Sequence, residues 1–408
     1  MSLKKTIIYV GGFELPDKNG AAQRVIANGK IFRSLGYDVV FCGVAKGIDS
    51  NSNILETKTN HFGFTCFSTV YPVSKKMWLE TISSSESIEY LVEQCYQGQV
   101  AAVICYNHPA LAQWRIRRLC RKNNIKYLAD VTEWYESSGG GVIFGLIKWL
   151  DTSLRMHLMH RLVDALITTS SIITEYYTRS RKTIPIVELP TLYDKESIAI
   201  NRFDNRSDSK ISRWIYAGSP FNVARLDRKR KNIKDRLDAV ILLVASLNSE
   251  VNSVELRVYG VTQEEYLKAF PEHLDILEKN INNIIFFGNR PHKEILQQLQ
   301  QSDFSIFFRK KSRLTEAGFP SKLAESISCG TPVITNYLGN LKSYQGNVSG
   351  LFLVDFSNMD ACVKAAKEIL QMSSLELAAI KALCIEEQAF DYRTFIPKVQ
   401  KFMHDANL

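Results

Sequence analysis

The chain has no apolar run near the roughly 18 residues that cross a bilayer, so no stretch reads as a transmembrane helix. Its first apolar run, Ile7-Ile8-Tyr9-Val10, is too short for a signal-peptide core, which makes the cytoplasm the expected compartment. The eight cysteines (Cys42, Cys66, Cys95, Cys105, Cys120, Cys329, Cys362 and Cys384) form no C-x-x-C pair and no Cys/His cluster with metal-ligand spacing. Buried free thiols are therefore expected. The G-x-G-x-x-G fingerprint is missing, so the glycines of the opening loop are weak evidence for a dinucleotide. No D-x-D pair occurs either, and any phosphate should be held by fixed cations, with no metal site.

The 408 residues exceed one typical domain, and 45% hydrophobic with 23% charged residues is ordinary for a globular protein, so two domains are expected. The net charge of +9 favours an anionic partner: nucleic acid, a nucleoside diphosphate or an anionic membrane face. The basic run 225–236 has no recognised nucleic-acid module around it and only Phe221 for stacking, so no nucleic-acid partner is expected.

Apolar runs and helical periods alternate along the chain. In the first half, strands are expected at 7–10, 39–42, 102–106, 125–130, 165–169 and 186–189, and helices at 21–35, 84–95, 109–122, 144–162 and 172–180. A polar stretch at 197–212 reads as a linker. The second half repeats the alternation, with strands at 214–217, 256–259, 284–287, 303–308, 333–335 and 351–354. Such alternation implies parallel sheets covered on both faces, with ligands beyond the carboxyl ends of the strands. Two strand ends of the first half carry polar groups there, Asn107-His108 and Asp130. His108 and Asp130 are candidates for the group that helps an acceptor hydroxyl, and equally for caps or loop contacts.

The run Ser137 to Leu162 mixes Phe144, Leu146, Ile147, Trp149 and Leu150 with Lys148, Arg155 and Arg161. It suits a membrane interface or a lipid-linked acceptor, and equally a core-packed helix with basic residues outside.

The chemistry concentrates at Arg309 to Ile334. A strand leads into a polar, basic loop that narrows to Ala317-Gly318-Phe319-Pro320, and Ser321 can cap a helix that carries Lys322 and Glu325. A helix N-terminus reached through such a loop offers backbone N–H groups to a diphosphate. Lys322 adds a full charge, and Glu325, one turn on, can accept from a sugar hydroxyl. An ordinary αβ unit with a solvated Lys and Glu fits the same residues.

Glu316-Ala317-Gly318-Phe319-Pro320-Ser321-Lys322, Ala324-Glu325 and Cys329-Gly330-Thr331-Pro332-Val333-Ile334 together resemble the donor-site signature of glycosyltransferase family four. The usual spacing would place that signature's first glutamate at Ala317; here the nearest acid is Glu316. The resemblance implies an α/β GT-B fold, two Rossmann-like domains facing each other across a cleft: an acceptor domain at 1–195, a nucleotide-sugar domain at 208–388 and a last helix, 389–408, crossing back. It implies a retaining, metal-independent hexosyltransferase-like enzyme that uses a nucleotide diphosphate sugar as substrate and needs no cofactor. It carries Gly20, Gly218, Lys229, Lys234, Gly288, Gly318, Phe319, Pro320, Ser321, Lys322 and Glu325 as donor-binding residues. Asp130, His108, Lys322 and Glu325 are the expected catalytic set. The acceptor is expected to be a glycan or lipid-linked glycan of surface polysaccharide assembly, with a peripheral contact at the inner membrane face. A catalytically silent partner subunit and a nucleotide-sugar epimerase on the same fold are the alternatives.

Overall fold

The computed structural model describes residues 5–16, 20–49, 52–134, 142–180, 184–198, 211–221, 233, 235–249 and 253–408. The chain forms two compact units. The first takes Met1–Tyr193, Ala317–Phe319 and Tyr392–Leu408; the second takes Asp194–Glu316 and Pro320–Asp391.

The first unit holds strands β1 (Thr6–Gly11), β2 (Asp38–Ala45), β3 (Thr59–His61), β4 (Phe64–Val70), β5 (Val100–Tyr106), β6 (Lys126–Val131), β7 (Ala165–Thr168) and β8 (Ile186–Glu188). They form one sheet in the order β3-β4-β2-β1-β5-β6-β7-β8, parallel except where β3 meets β4. Ile7 and Tyr9 of β1 enter one apolar layer with Phe41 and Phe64, while Ile8 and Val10 enter another with Val103 and Ile116. Burial on both faces is what makes the strands near-continuous apolar runs. Val399, Phe402 and Met403 of the last helix, Ile396–Asp405, join the first of these layers. At the junction of β1 and β5 a Cβ on Gly11 would collide with the backbone of Tyr106, so glycine is required there.

The second unit holds β9 (Ser212–Ala217), β10 (Val254–Tyr259), β11 (Ile284–Gly288), β12 (Phe304–Phe307), β13 (Val333–Asn336) and β14 (Leu351–Val354). The sheet is parallel throughout, in the order β11-β10-β9-β12-β13-β14. The chain winds outward from β9 to β11, then returns to the other side of β9. That reversal between β9 and β12 is a topological switch point, where the connecting loops diverge and leave a crevice beyond the strand ends.

Several elements differ from the sequence reading. Strands β3 and β4 and the helix Lys75–Ser83 come from residues to which the sequence reading assigned no element. The helix expected at 84–95 is a short helix, Glu86–Tyr90, followed by a π turn at Leu91–Cys95. The loop after Arg309 contains a helical turn, Arg313–Ala317. Pro320, with extended backbone at φ −74° and ψ 107°, takes the cap position of the helix Ser321–Ser328 and makes no side-chain cap bond. Ser321 is therefore its first helical residue and not its cap.

Candidate active site

Three glycines line the carboxyl ends of neighbouring strands in the second unit: Gly218 after β9, Gly260 after β10 and Gly288 at the end of β11. Their φ values are +141°, +96° and +66°, which side-chain-bearing residues rarely adopt. Gly218 N–H donates to Tyr259 O at 3.0 Å and Gly260 N–H donates to Gly288 O at 2.8 Å, so the three turns are tied together. A Cβ on Gly218 would strike the end of the Lys322 side chain, and one on Gly260 would strike the Gly218 carbonyl. Gly218 thus clears the path along which Lys322 reaches back to the switch point, and Gly260 makes room for the Gly218 turn.

Lys322 sits in the first turn of its helix and crosses the ring of Tyr216, with Nζ 4.4 Å from the ring centroid. It forms an ion pair with Asp235 and donates to the Tyr216 hydroxyl at 3.2 Å. The other Asp235 oxygen accepts from Arg309 Nε at 3.0 Å. Arg309 is fixed in turn by Asn336, whose Oδ1 accepts the Arg309 N–H at 2.9 Å. Burial and the neighbouring Asp235 hold the Tyr216 hydroxyl well above its ordinary pKa, so it stays protonated and donates to Asp235 at 3.2 Å. Among the described residues, two cations here share one carboxylate. The cluster therefore carries surplus positive charge beside a helix N-terminus, an arrangement that favours an anion.

Glu325, one turn after Lys322, points its Oε1 at His292 Nε2, 2.6 Å away. His292 opens the helix His292–Gln301 just after Pro291. Glu325 is mostly buried and His292 partly exposed, so this contact orients the carboxylate. Such a group can accept from a hydroxyl of a bound ligand.

Of the expected donor residues, Gly218, Gly288, Pro320, Ser321, Lys322 and Glu325 belong to the second unit, and Gly218 and Lys322 meet at this cluster. Gly318 and Phe319 group with the first unit, next to Ala317, whose carbonyl accepts from Ser170 Oγ. Gly20 opens the helix Gly20–Ser34 of the first unit and is exposed. Lys229 and Lys234 lie outside the described residues. Asp235, Arg309, Tyr216, His292 and Gly260 were missed as site residues. Asp235 was hidden in a basic run, and the others pair with residues far away in sequence.

Asp130 requires a correction. It has no solvent exposure, and its carboxylate is enclosed by Arg24, with Nη2 at 2.7 Å, by the Tyr9 hydroxyl and by Asn28 Nδ2 at 3.3 Å. Arg24 spends its remaining donors on Leu189 O at 2.7 Å, Pro190 O at 3.0 Å and Thr169 Oγ1 at 3.3 Å. A carboxylate so enclosed is a structural ion pair and has no open lone pair for an acceptor hydroxyl. His108, at the end of β5, is half-buried, and burial with the nearby Arg155 lowers its pKa to about 4, so it is a neutral imidazole near pH 7. The same depressed pKa makes it a weak base that can still accept a hydrogen bond.

A family model described as glycosyl transferases group 1 matches residues 221–382. No curated protein matches the chain in sequence. Among solved structures, it is similar to a sucrose-phosphate synthase from Thermosynechococcus elongatus, with TM-score 0.67, 14% identity and 98% of each chain covered. It is also similar to the Anabaena protein HepE in complex with UDP and glucose, with TM-score 0.62, 12% identity, and 98% of this chain and 99% of that chain covered. A third is WaaG, a glycosyltransferase involved in lipopolysaccharide biosynthesis, with TM-score 0.62, 12% identity, and 97% and 98% covered. At these identities the likenesses establish the fold: two Rossmann-like α/β units of the GT-B type.

Proposed function

We propose that the protein is a retaining glycosyltransferase that moves a sugar from a nucleoside diphosphate sugar to an acceptor hydroxyl. The observation that carries this reading is Lys322, threaded past Gly218 to the switch point of a sheet whose strands β10 to β14 lie within the group 1 glycosyl transferase match. As the glycosidic bond breaks, the leaving diphosphate gains negative charge. Lys322 and the N-terminal turn of its helix stabilise that charge, and Arg309 keeps Asp235 from neutralising Lys322 alone. Fixed cations do this work, so the reaction proceeds without a metal. Glu325, oriented by His292, accepts from a hydroxyl of the ribose or sugar. On the acceptor side, neutral His108 accepts a hydrogen bond from the acceptor hydroxyl. Retention and a lipid-linked glycan acceptor, in surface polysaccharide assembly, complete the reading, with resemblance and basic charge as their support.

A second reading, a partner subunit without turnover, is favoured by one observation: Asp235 already holds Lys322. Calorimetric titration with UDP, GDP, ADP and dTDP, on the native chain and on Lys322→Ala, is the first test. One diphosphate should bind, and the substitution should weaken it at least about tenfold. If no diphosphate binds the native chain, the donor-site reading fails. Binding without sugar transfer or donor hydrolysis would favour the partner subunit.

A further inference from the structure

We infer that three helices of the first unit form a surface that docks on an anionic lipid bilayer. The inference deepens the lipid-linked acceptor reading and rests on it for its purpose, but not for its evidence. The helix Val142–His157 turns Leu146, Trp149, Leu150 and Leu154 outward along one stripe, with Leu146 55% and Trp149 53% exposed. Residues spaced by three and four share a helix face, so this is a continuous apolar stripe. The helix Lys75–Ser83 packs beside it through Trp78, whose ring lies 4.9 Å edge-on from Phe144. The helix Ala110–Lys122 joins them: its first N–H donates to Asp151 at 2.7 Å, and Arg115 donates to the Ser83 carbonyl. It adds exposed Leu111 and Trp114 at the same spacing as exposed Arg115 and Arg118.

Charge selects the occupant. The three helices carry nine Lys and Arg, of which Arg155 is buried and Lys122 pairs with Glu93, and two carboxylates, Glu80 and Asp151. Asp151 is spent on the Ala110 N–H and lies 4.0 Å from Arg155, so Glu80 is the one exposed carboxylate of the three helices. Lys148 and Lys75 lie over the Phe144 ring, at 4.9 Å and 5.7 Å, and Arg118 over Trp114 at 4.9 Å. Aromatic rings and leucines framed by long cationic side chains match the boundary between acyl chains and anionic headgroups. No helix among the described residues is long and apolar enough to cross a membrane, so the contact lies on the surface.

Vesicle co-sedimentation tests the surface, with roughly one-third phosphatidylglycerol in phosphatidylcholine against phosphatidylcholine alone. The native chain should partition onto the anionic vesicles only, and less at high salt. Trp149→Ser with Leu150→Ser should weaken that partitioning about tenfold or more. Lys76→Glu with Arg118→Glu should weaken it about fivefold or more per cation reversed. All four side chains face solvent or its edge, so both double variants should unfold at the native temperature and bind the same nucleoside diphosphate as tightly as the native chain. The inference is overturned if the native chain stays in the supernatant, or if both double variants sediment as it does. It is also overturned if the native chain is a dimer that Trp149→Ser with Leu150→Ser makes monomeric without changing sedimentation. A chain that binds vesicles but no nucleotide would sink the proposed function and leave this surface standing.

Discussion

Each unit sets a tyrosine from the strand beside its switch point against a buried aspartate. Tyr9 of β1 donates to Asp130, and Tyr216 of β9 donates to Asp235. The likeness ends with the cations. Asp130 faces one guanidinium, and every nitrogen of Arg24 donates to a protein acceptor. Asp235 is shared by Arg309 and Lys322, and Lys322 lies against glycine backbone at the mouth of a helix. The first cluster has equal charges and satisfied donors, so it has nothing left to offer a ligand. Among the described residues, the second sets two cations against one carboxylate beside the N-terminal turn of a helix. Two buried ion pairs of similar chemistry thus differ in what they can do, and the difference lies in stoichiometry and in what borders them.

The largest expected effect breaks the sealed cluster. Asp130→Ala strands the Arg24 guanidinium in the core, and breaking one side of a buried pair costs about 3–5 kcal/mol of stability. Chemical unfolding of the native chain and of Asp130→Ala measures this. The part of the variant that stays folded should still bind nucleoside diphosphate. A loss of binding with little loss of stability would mean that Asp130 is not the structural pair described here.

Next comes the opposite pattern in the second cluster. Lys322→Ala leaves Asp235 paired with Arg309, so folding is largely kept. It removes a charge-assisted contact to the diphosphate worth about 1.5–3 kcal/mol, a loss of about 10- to 150-fold in affinity. If Lys322→Ala instead lowers stability as much as Asp130→Ala, the two clusters are alike and the comparison collapses.

Acid should separate the units further. His160 in the first unit is buried, and burial with the nearby Arg155 lowers its pKa to about 3. A group whose folded pKa is depressed takes its proton first in the unfolded chain, so its neutral form supports folding above pH ~6.5. That support is lost as pH falls from about 6.5 towards 3, at roughly 1.4 kcal/mol per pH unit for the one histidine. Unfolding midpoints between pH 7 and 4 should drop less steeply in His160→Gln than in the native chain. Equal slopes would show that His160 is not the acid-sensitive element.

Much of this organisation could be read along the chain, and what could not has a physical reason. Most strands of both sheets appear as apolar runs because parallel sheets are buried on both faces, as Ile7 to Val10 and Trp214 to Tyr216 are. Lys322 and Glu325 were legible because they sit three apart on a helix that follows a strand and a glycine loop. The Arg24–Asp130 pair was not, because its partners lie 106 residues apart and only the packing of the helix Gly20–Ser34 against the sheet brings them together. Asp130 looked like a ligand group because a polar residue at a strand end is where α/β folds place ligands. The neighbour that seals it left no mark nearby. Asp235 was missed for a related reason: in a run of cations a single carboxylate looks like background. Ser321 looked like a cap because serine commonly caps, but the proline before it supplies the extended cap backbone.

The smallest effect tests how finely the second cluster is built. Glu325 can face a ribose or sugar hydroxyl only if its carboxylate is held still, and His292 holds it through the 2.6 Å contact. His292→Ala should lose about 0.5–1.5 kcal/mol of binding, roughly 2- to 12-fold. His292→Gln, which keeps a donor at that edge, should lose less. Titrating each variant with the free nucleoside diphosphate and with the intact nucleotide sugar tells which hydroxyl Glu325 meets. A loss seen with both ligands places the contact on the ribose, and a loss confined to the nucleotide sugar places it on the transferred sugar. If both variants bind both ligands as the native chain does, Glu325 is not oriented by His292. The open character of the second cluster would then rest on Lys322 and the glycine turns alone.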